Sequence, residues 1–210
     1  MSKRVRVAIL VLCVAAICAI ALAADFAWDW HNQQVIGRTD TSLGNSSKLT
    51  EPERNALLDA VIDRLMKPMG ERGYDDERIR EIGLTTRLAF VDLGEDKPVV
   101  MATSLGLEGG CDELVNCPFW IFRYTPDGYV SLLDTVAASY TIQPTSTNGW
   151  SDLVMSRHVS PQESRLTLYK FDGSKYADAG CYTVTWPAPK GGEVQEPTIT
   201  PCDKPVASGQ

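Results

Sequence analysis

Residues 117–186 read CPFWIFRYTPDGYVSLLDTVAASYTIQPTSTNGWSDLVMSRHVSPQESRLTLYKFDGSKYADAGCYTVTW. Short runs rich in Phe, Trp, Tyr, Ile, Val and Thr are separated by Pro126-Asp127-Gly128, Asn148-Gly149 and Asp172-Gly173. β-branched and aromatic side chains suit a pleated, half-buried surface, and the Gly-containing breaks supply the positive φ that tight turns need. The stretch therefore predicts strands joined by hairpin turns at residues 119–124, 129–133, 140–143, 153–156, 165–171 and 182–186. Upstream, residues 87–93 and 99–104 carry the same pattern around Glu95-Asp96-Lys97. Turn-length connections argue for antiparallel pairing and against parallel strands with crossover helices.

Before the strands stands one clear helix. Thr50-Glu51-Pro52-Glu53 is a capping box with Pro in the first turn, where its missing N–H costs nothing. Leu57, Leu58, Val61, Ile62, Leu65 and Met66 then form an apolar stripe at helical spacing, and Pro68 predicts an end at Lys67. Residues 74–82 are highly charged, with a short helix as the leading reading. The expected fold class is α+β: an antiparallel sheet of about eight short strands, in two blade-like four-stranded units, packed with one N-terminal amphipathic helix. It occupies residues 50–186 as a single domain. Residues 24–49 read as a polar linker or arm, and residues 187–210 as a Pro-rich, mostly disordered tail.

The first residues speak to compartment. MSKRVR carries the positive charge, residues 7–24 carry none, and Ala21-Leu22-Ala23 fits a cleavage site, so residues 1–23 read as a secretory signal. The alternative is an uncleaved anchor, with residues 7–24 as the membrane contact. Both readings put the rest outside the cytoplasm, periplasmic or extracellular. Cys111, Cys117, Cys181 and Cys202 are then an even set in an exported chain. They permit three pairings. The favoured one is Cys111–Cys117, closing a small loop, with Cys181–Cys202, tying the tail to the last strand. The spacing lacks the close pairs of a zinc knuckle, so no metal is expected on these thiols.

The formal charge is -7, with 27 acidic and 20 basic residues. An acidic chain without a basic stripe is a poor partner for nucleic acid and suits a basic protein instead. No nucleophile elbow, phosphate loop or thiol site stands out, so no catalytic residue is assigned. His158, near Asp152 and several serines, is the one arrangement that a hydrolase could use. Among the aromatic residues, Phe119, Ile121 and Arg123 alternate with Trp120, Phe122 and Tyr124. One face must be core; the other is covered by the helix or free to bind. Trp120, Phe122, Tyr124 and Tyr129 are the candidate binding residues.

Two segments share a pattern. Val91-Asp92-Leu93-Gly94-Glu95-Asp96-Lys97-Pro98-Val99-Val100 and Asn148-Gly149-Trp150-Ser151-Asp152-Leu153-Val154 resemble the FG-GAP repeat of integrin-type propellers. The resemblance implies blade-like hairpins and, in that family, a calcium loop. Here Pro144 and Pro98 stand where acids are expected, so at most one carboxylate survives at the ligand positions of each loop, against the several that calcium prefers. The expected function is an exported, non-enzymatic binding or interaction module of the cell envelope with a basic protein partner and no cofactor. The alternatives are an envelope hydrolase using His158 with Asp152 or a nearby Ser, and a structural repeat steadied by calcium.

Overall fold

The computed structural model describes residues 28–37, 41–94, 96–188 and 195–202. The expected signal segment lies outside them. The chain divides into two units, residues 1–31 and 32–210, and every described strand and α-helix belongs to the second. No helix among the described residues is long and apolar enough to cross a membrane.

The fold is mostly β, with 48% strand and 21% helix, which corrects the α+β expectation. Two antiparallel sheets replace one. The strands are Gln34–Val35 (β1), Thr41–Ser42 (β2), Arg87–Asp92 (β3), Pro98–Thr103 (β4), Cys117–Thr125 (β5) and Gly128–Ala137 (β6), followed by Ser139–Thr147 (β7), Trp150–Ser160 (β8), Glu163–Phe171 (β9), Tyr176–Thr185 (β10) and Thr198–Pro201 (β11). One sheet runs β2-β3-β4-β5-β6 and the other β1-β7-β8-β9-β10-β11. Each is thus a four-strand meander extended at its edges. The extra strands come from the expected arm and tail, whose two to four paired residues carry no readable alternation. The chain changes sheets at Ala138, whose N–H donates to the Ser156 carbonyl at 2.8 Å. No Gly or Pro marks that step, so periodicity could not reveal it. Alternation reports which way side chains point, not which strand lies alongside.

Helix α1 spans Glu51–Gly70, and its capping box forms as expected: the Thr50 N–H donates to Glu53 Oε2 at 2.8 Å, and Thr50 Oγ1 accepts from the Glu53 N–H. It runs past Pro68 because Met69, one turn beyond Leu65, is buried in the same core. Packing of the last turn outweighs the missing N–H. A second helix, α2, spans Asp76–Thr85, capped by Asp75, whose carboxylate accepts from the Arg78 N–H at 2.8 Å. The short helix read in the charged stretch thus forms, and the fold class expected with one helix is corrected to two. Only Ile79, Ile82 and Gly83 of α2 are buried, so its apolar face is narrow. Gly83 lets the helices approach: a Cβ there would lie 2.9 Å from Leu58.

Two cores result. Leu57, Leu58, Val61 and Leu65 of α1 pack with Leu88, Val100, Ala102, Trp120 and Phe122 on one face of the five-stranded sheet. Val99, Met101, Phe119, Ile121 and Leu133 on its other face meet Trp150, Leu153, Met155, Tyr169, Phe171 and Tyr176 of the six-stranded sheet. A bulge helps: Ile121 faces Leu133 and Phe122 faces Ser131, leaving Leu132 as the extra residue, so two successive leucines are buried.

The two segments that resemble FG-GAP repeats are the β3–β4 and β7–β8 hairpins, and their tips touch. The Ser151 N–H donates to the Leu93 carbonyl at 2.7 Å. A Cβ on Gly94 would lie 2.5 Å from the Gly149 carbonyl oxygen, at a φ of +150° that side chains disfavour. Gly94→Ala should therefore cost on the order of 1–3 kcal/mol, because a backbone oxygen cannot swing aside. The check is urea unfolding: a lower midpoint with unchanged slope is expected, and an unchanged midpoint would refute the contact.

Candidate cleft between the sheets

The inner face of the six-stranded sheet changes character along its strands. On β8 the inward residues are Leu153, Met155 and Arg157; opposite them on β9 stand Tyr169, Thr167 and Arg165. The apolar members join the core between the sheets. The polar members line an open cleft of about 820 Å³ bordered by residues 131–136 of β6, by Arg64 of α1 and by residues 175–178. That volume falls in the range of ligand pockets.

Charge is unevenly spread here. Arg64, Arg157, Arg165 and Lys175 line the cleft against only Asp134 and Asp178, in a chain of formal charge -7. Arg157 and Arg165 are direct cross-strand partners, so two guanidinium stems share one face. Like charges in that position oppose folding. Arg157 has one acid nearby, Asp112 at 3.8 Å, and the buried Nε of Arg165 has no hydrogen-bond partner. The Nε of Arg64 likewise makes no hydrogen bond, but its guanidinium donates to the Ala60 carbonyl at 2.8 Å, stands 3.6 Å from Asp134 and lies over the Phe122 ring. Burial pushes the Asp134 carboxyl up, with Arg64 opposing. At the wall, Tyr169 Oη and Thr135 Oγ1 are 3.2 Å apart and join the two sheets. Burial raises the Tyr169 phenol, so it stays protonated and able to donate.

The aromatic candidates lie elsewhere. Trp120 and Phe122 are 2% and 0% exposed beneath α1, because the helix stripe needs an apolar face to cover. Tyr124 is 52% exposed and meets Tyr129 in a tilted ring contact at 5.1 Å, at the far end of the β5–β6 hairpin. Burial, with Glu53 and Tyr124 nearby, pushes the Tyr129 phenol up to about 12. The four do not form one surface, and none lines the cleft. Arg157 and Arg165 were missed, although a readable signal existed. Arg157 continues the inward-facing apolar alternation of Leu153 and Met155, and a cation at such a position is unusual.

Cys111 pairs with Cys117 and Cys181 with Cys202. The first bridge closes a loop organised by Asp112, whose carboxylate accepts from the backbone N–H groups of Leu114 and Asn116 and from Asn116 Nδ2. Asn116 is fully buried and clamps the other sheet. Its Oδ1 accepts from the His158 N–H at 2.7 Å, and its Nδ2 donates to the His158 carbonyl at 2.9 Å. The His158 ring is exposed, with Nδ1 3.2 Å from the oxygen of Ser164, itself only 3% exposed. Asp152 sits six residues away on the same strand, about 20 Å at the usual rise. Its carboxylate accepts from Thr145 at 2.8 Å and Thr147 at 2.7 Å. His158 and Asp152 are therefore not brought together.

Those same contacts bear on calcium. Both oxygens of Asp152 already accept hydroxyl protons, and no group of three His, Cys, Asp or Glu gathers to hold a metal among the described residues. The residues of this hairpin do not fit the calcium loop that the resemblance implies.

Asn116→Ala should cost about 1–3 kcal/mol, by stranding the His158 backbone groups, whereas His158→Ala should cost under about 1 kcal/mol at its exposed site. Equal losses in urea unfolding would contradict the clamp. Acid gives a second check. Burial raises the Asp112 carboxyl, but hydrogen bonds from Asn116 and Leu114 outweigh it, so the net direction is down. Its contribution is present above the unfolded value of about 3.9 and lost as pH falls through the folded one. The stability gap between the native chain and Asn116→Ala should thus narrow below about pH 4, and a widening gap would reverse the assignment. Compared with family models, with curated proteins and with solved structures, the chain matches none.

Proposed function

We propose that this chain is a non-enzymatic binding module of the cell envelope, exported to the periplasm or beyond, and that its working surface is the cleft between the sheets, which takes an anionic group. The single observation that carries the reading is the Arg157–Arg165 cross-strand pair. Two guanidinium groups on one open face, one with a buried Nε lacking a partner, are stabilised by a shared carboxylate or phosphate. The two disulfides support an oxidising compartment. The basic protein partner expected from net charge follows from an average over the whole surface. A ligand in the cleft meets the local field, which has the opposite sign. On this reading the hairpins that resemble FG-GAP repeats serve as scaffold, joining the sheets through Leu93 and Ser151.

The test is a titration of the purified, disulfide-intact protein with fluorescein-labelled hexaglutamate, followed by anisotropy at low and raised salt. Saturable binding that weakens with salt is expected. Replacing both Arg157 and Arg165 by Ala should weaken it by about 10-fold or more, from lost charge-assisted hydrogen bonds. His158→Ala should leave it unchanged. No binding at either salt, or binding indifferent to the double substitution, would remove the cleft as the site.

A further inference from the structure

We infer that the ligand of the cleft is an extended acidic peptide, which adds as a strand to the free edge of β6. The inference rests on the anion-binding reading of the cleft and goes further by fixing the form of the ligand. β6 is the last strand of its sheet: it pairs with β5 on one side, and no described strand pairs with its other side. Its residues 131–136 border the cleft directly. An unpaired strand edge is a row of backbone donors and acceptors available to a partner chain. Six residues of strand span about 20 Å, room for a peptide of similar length.

The geometry links this edge to the cations. Packed sheets lie about 10 Å apart, and neighbouring strands about 4.8 Å apart. A strand laid beside β6 would extend the five-stranded sheet over the polar part of the opposite sheet, where Arg157 and Arg165 stand. Its alternate side chains would point at that floor. Carboxylates at every second position would meet the two guanidinium groups, with Lys175 bordering the same space.

The same edge resists indiscriminate pairing. The bulge at Leu132 interrupts its regularity, and Asp134 sets a carboxylate beside it, partly neutralised by Arg64. Bulges and charges deter edge-to-edge association. A second copy of β6 would bring a single acid, Asp134, which already stands beside Arg64, and no alternating carboxylates for the arginines. The acidic alternating peptide supplies what the floor lacks, so it is favoured over self-association.

The experiment uses the full, disulfide-intact chain and a blocked six-residue peptide alternating Glu and Thr. Two further peptides carry N-methyl groups, one on the Glu amides and one on the Thr amides. Successive amides of a strand point to opposite edges, so one row would donate to β6 and the other would face away. One methylated peptide should bind about 10-fold or more weakly, and the other within about 3-fold of the parent. Hydrogen exchange at residues 129–136 should slow with the parent peptide. Citrate serves as a small anion with no backbone. If both methylated peptides bind like the parent, or if citrate binds and the peptide does not, strand addition is wrong while the anion cleft stands. If neither citrate nor peptide binds, both readings fail.

Discussion

The structure depends on one sheet having no solvent face. β5 is the clearest instance: Phe119 and Ile121 belong to the core between the sheets, while Trp120 and Phe122 belong to the core under the helices. A strand apolar on both sides cannot be stable with one side wet. Each large side chain left exposed would forgo roughly 1.5–3 kcal/mol of burial. The five-stranded sheet must therefore be the middle layer. α1 and α2 cover one face, and the six-stranded sheet covers the other.

The outer layer is less constrained, and the cleft arises from that. The strands of the six-stranded sheet reach 11 residues in β8, and their inward residues turn from apolar to polar where the middle sheet ends at β6. The polar end is tied down by few groups: Asn116 holds the backbone at His158, and Tyr169 meets Thr135. Between these ties Arg157 is exposed and Arg165 half-buried. Stability at the core and chemistry at the overhang thus come from the same strands, read at different positions.

Much of the strand content was legible. The runs at residues 119–124 and 165–171 lie within β5 and β9, and the turn residues Asp127-Gly128 and Asn148-Gly149 mark hairpins. Disulfide pairing followed from chain proximity, since a bridge across a short loop and a bridge from tail to last strand both needed little reach. What remained hidden was non-local. The passage between sheets at Ala138 has no turn chemistry, and edge strands such as Gln34–Val35 pair through backbone groups that any sequence possesses. α2 was legible as a short helix in the charged stretch, but its narrow buried face left its place in the core unread. At the site, aromatic residues drew attention because they are large, and Trp120 and Phe122 proved to be large for the sake of the core. Arg157 stood out in sequence only as a cation in an apolar alternation, and its opposition to Arg165 shows once β8 and β9 are aligned.

The most direct test of the middle-layer claim is a set of nuclear Overhauser contacts from β5 in solution. The indole of Trp120 should show contacts to the leucine methyls of α1, while the methyls of its neighbour Ile121 should show contacts to Leu153 and the aromatic rings of the six-stranded sheet. Contacts from both residues to the same layer, or an indole of Trp120 touching no helix, would contradict the account.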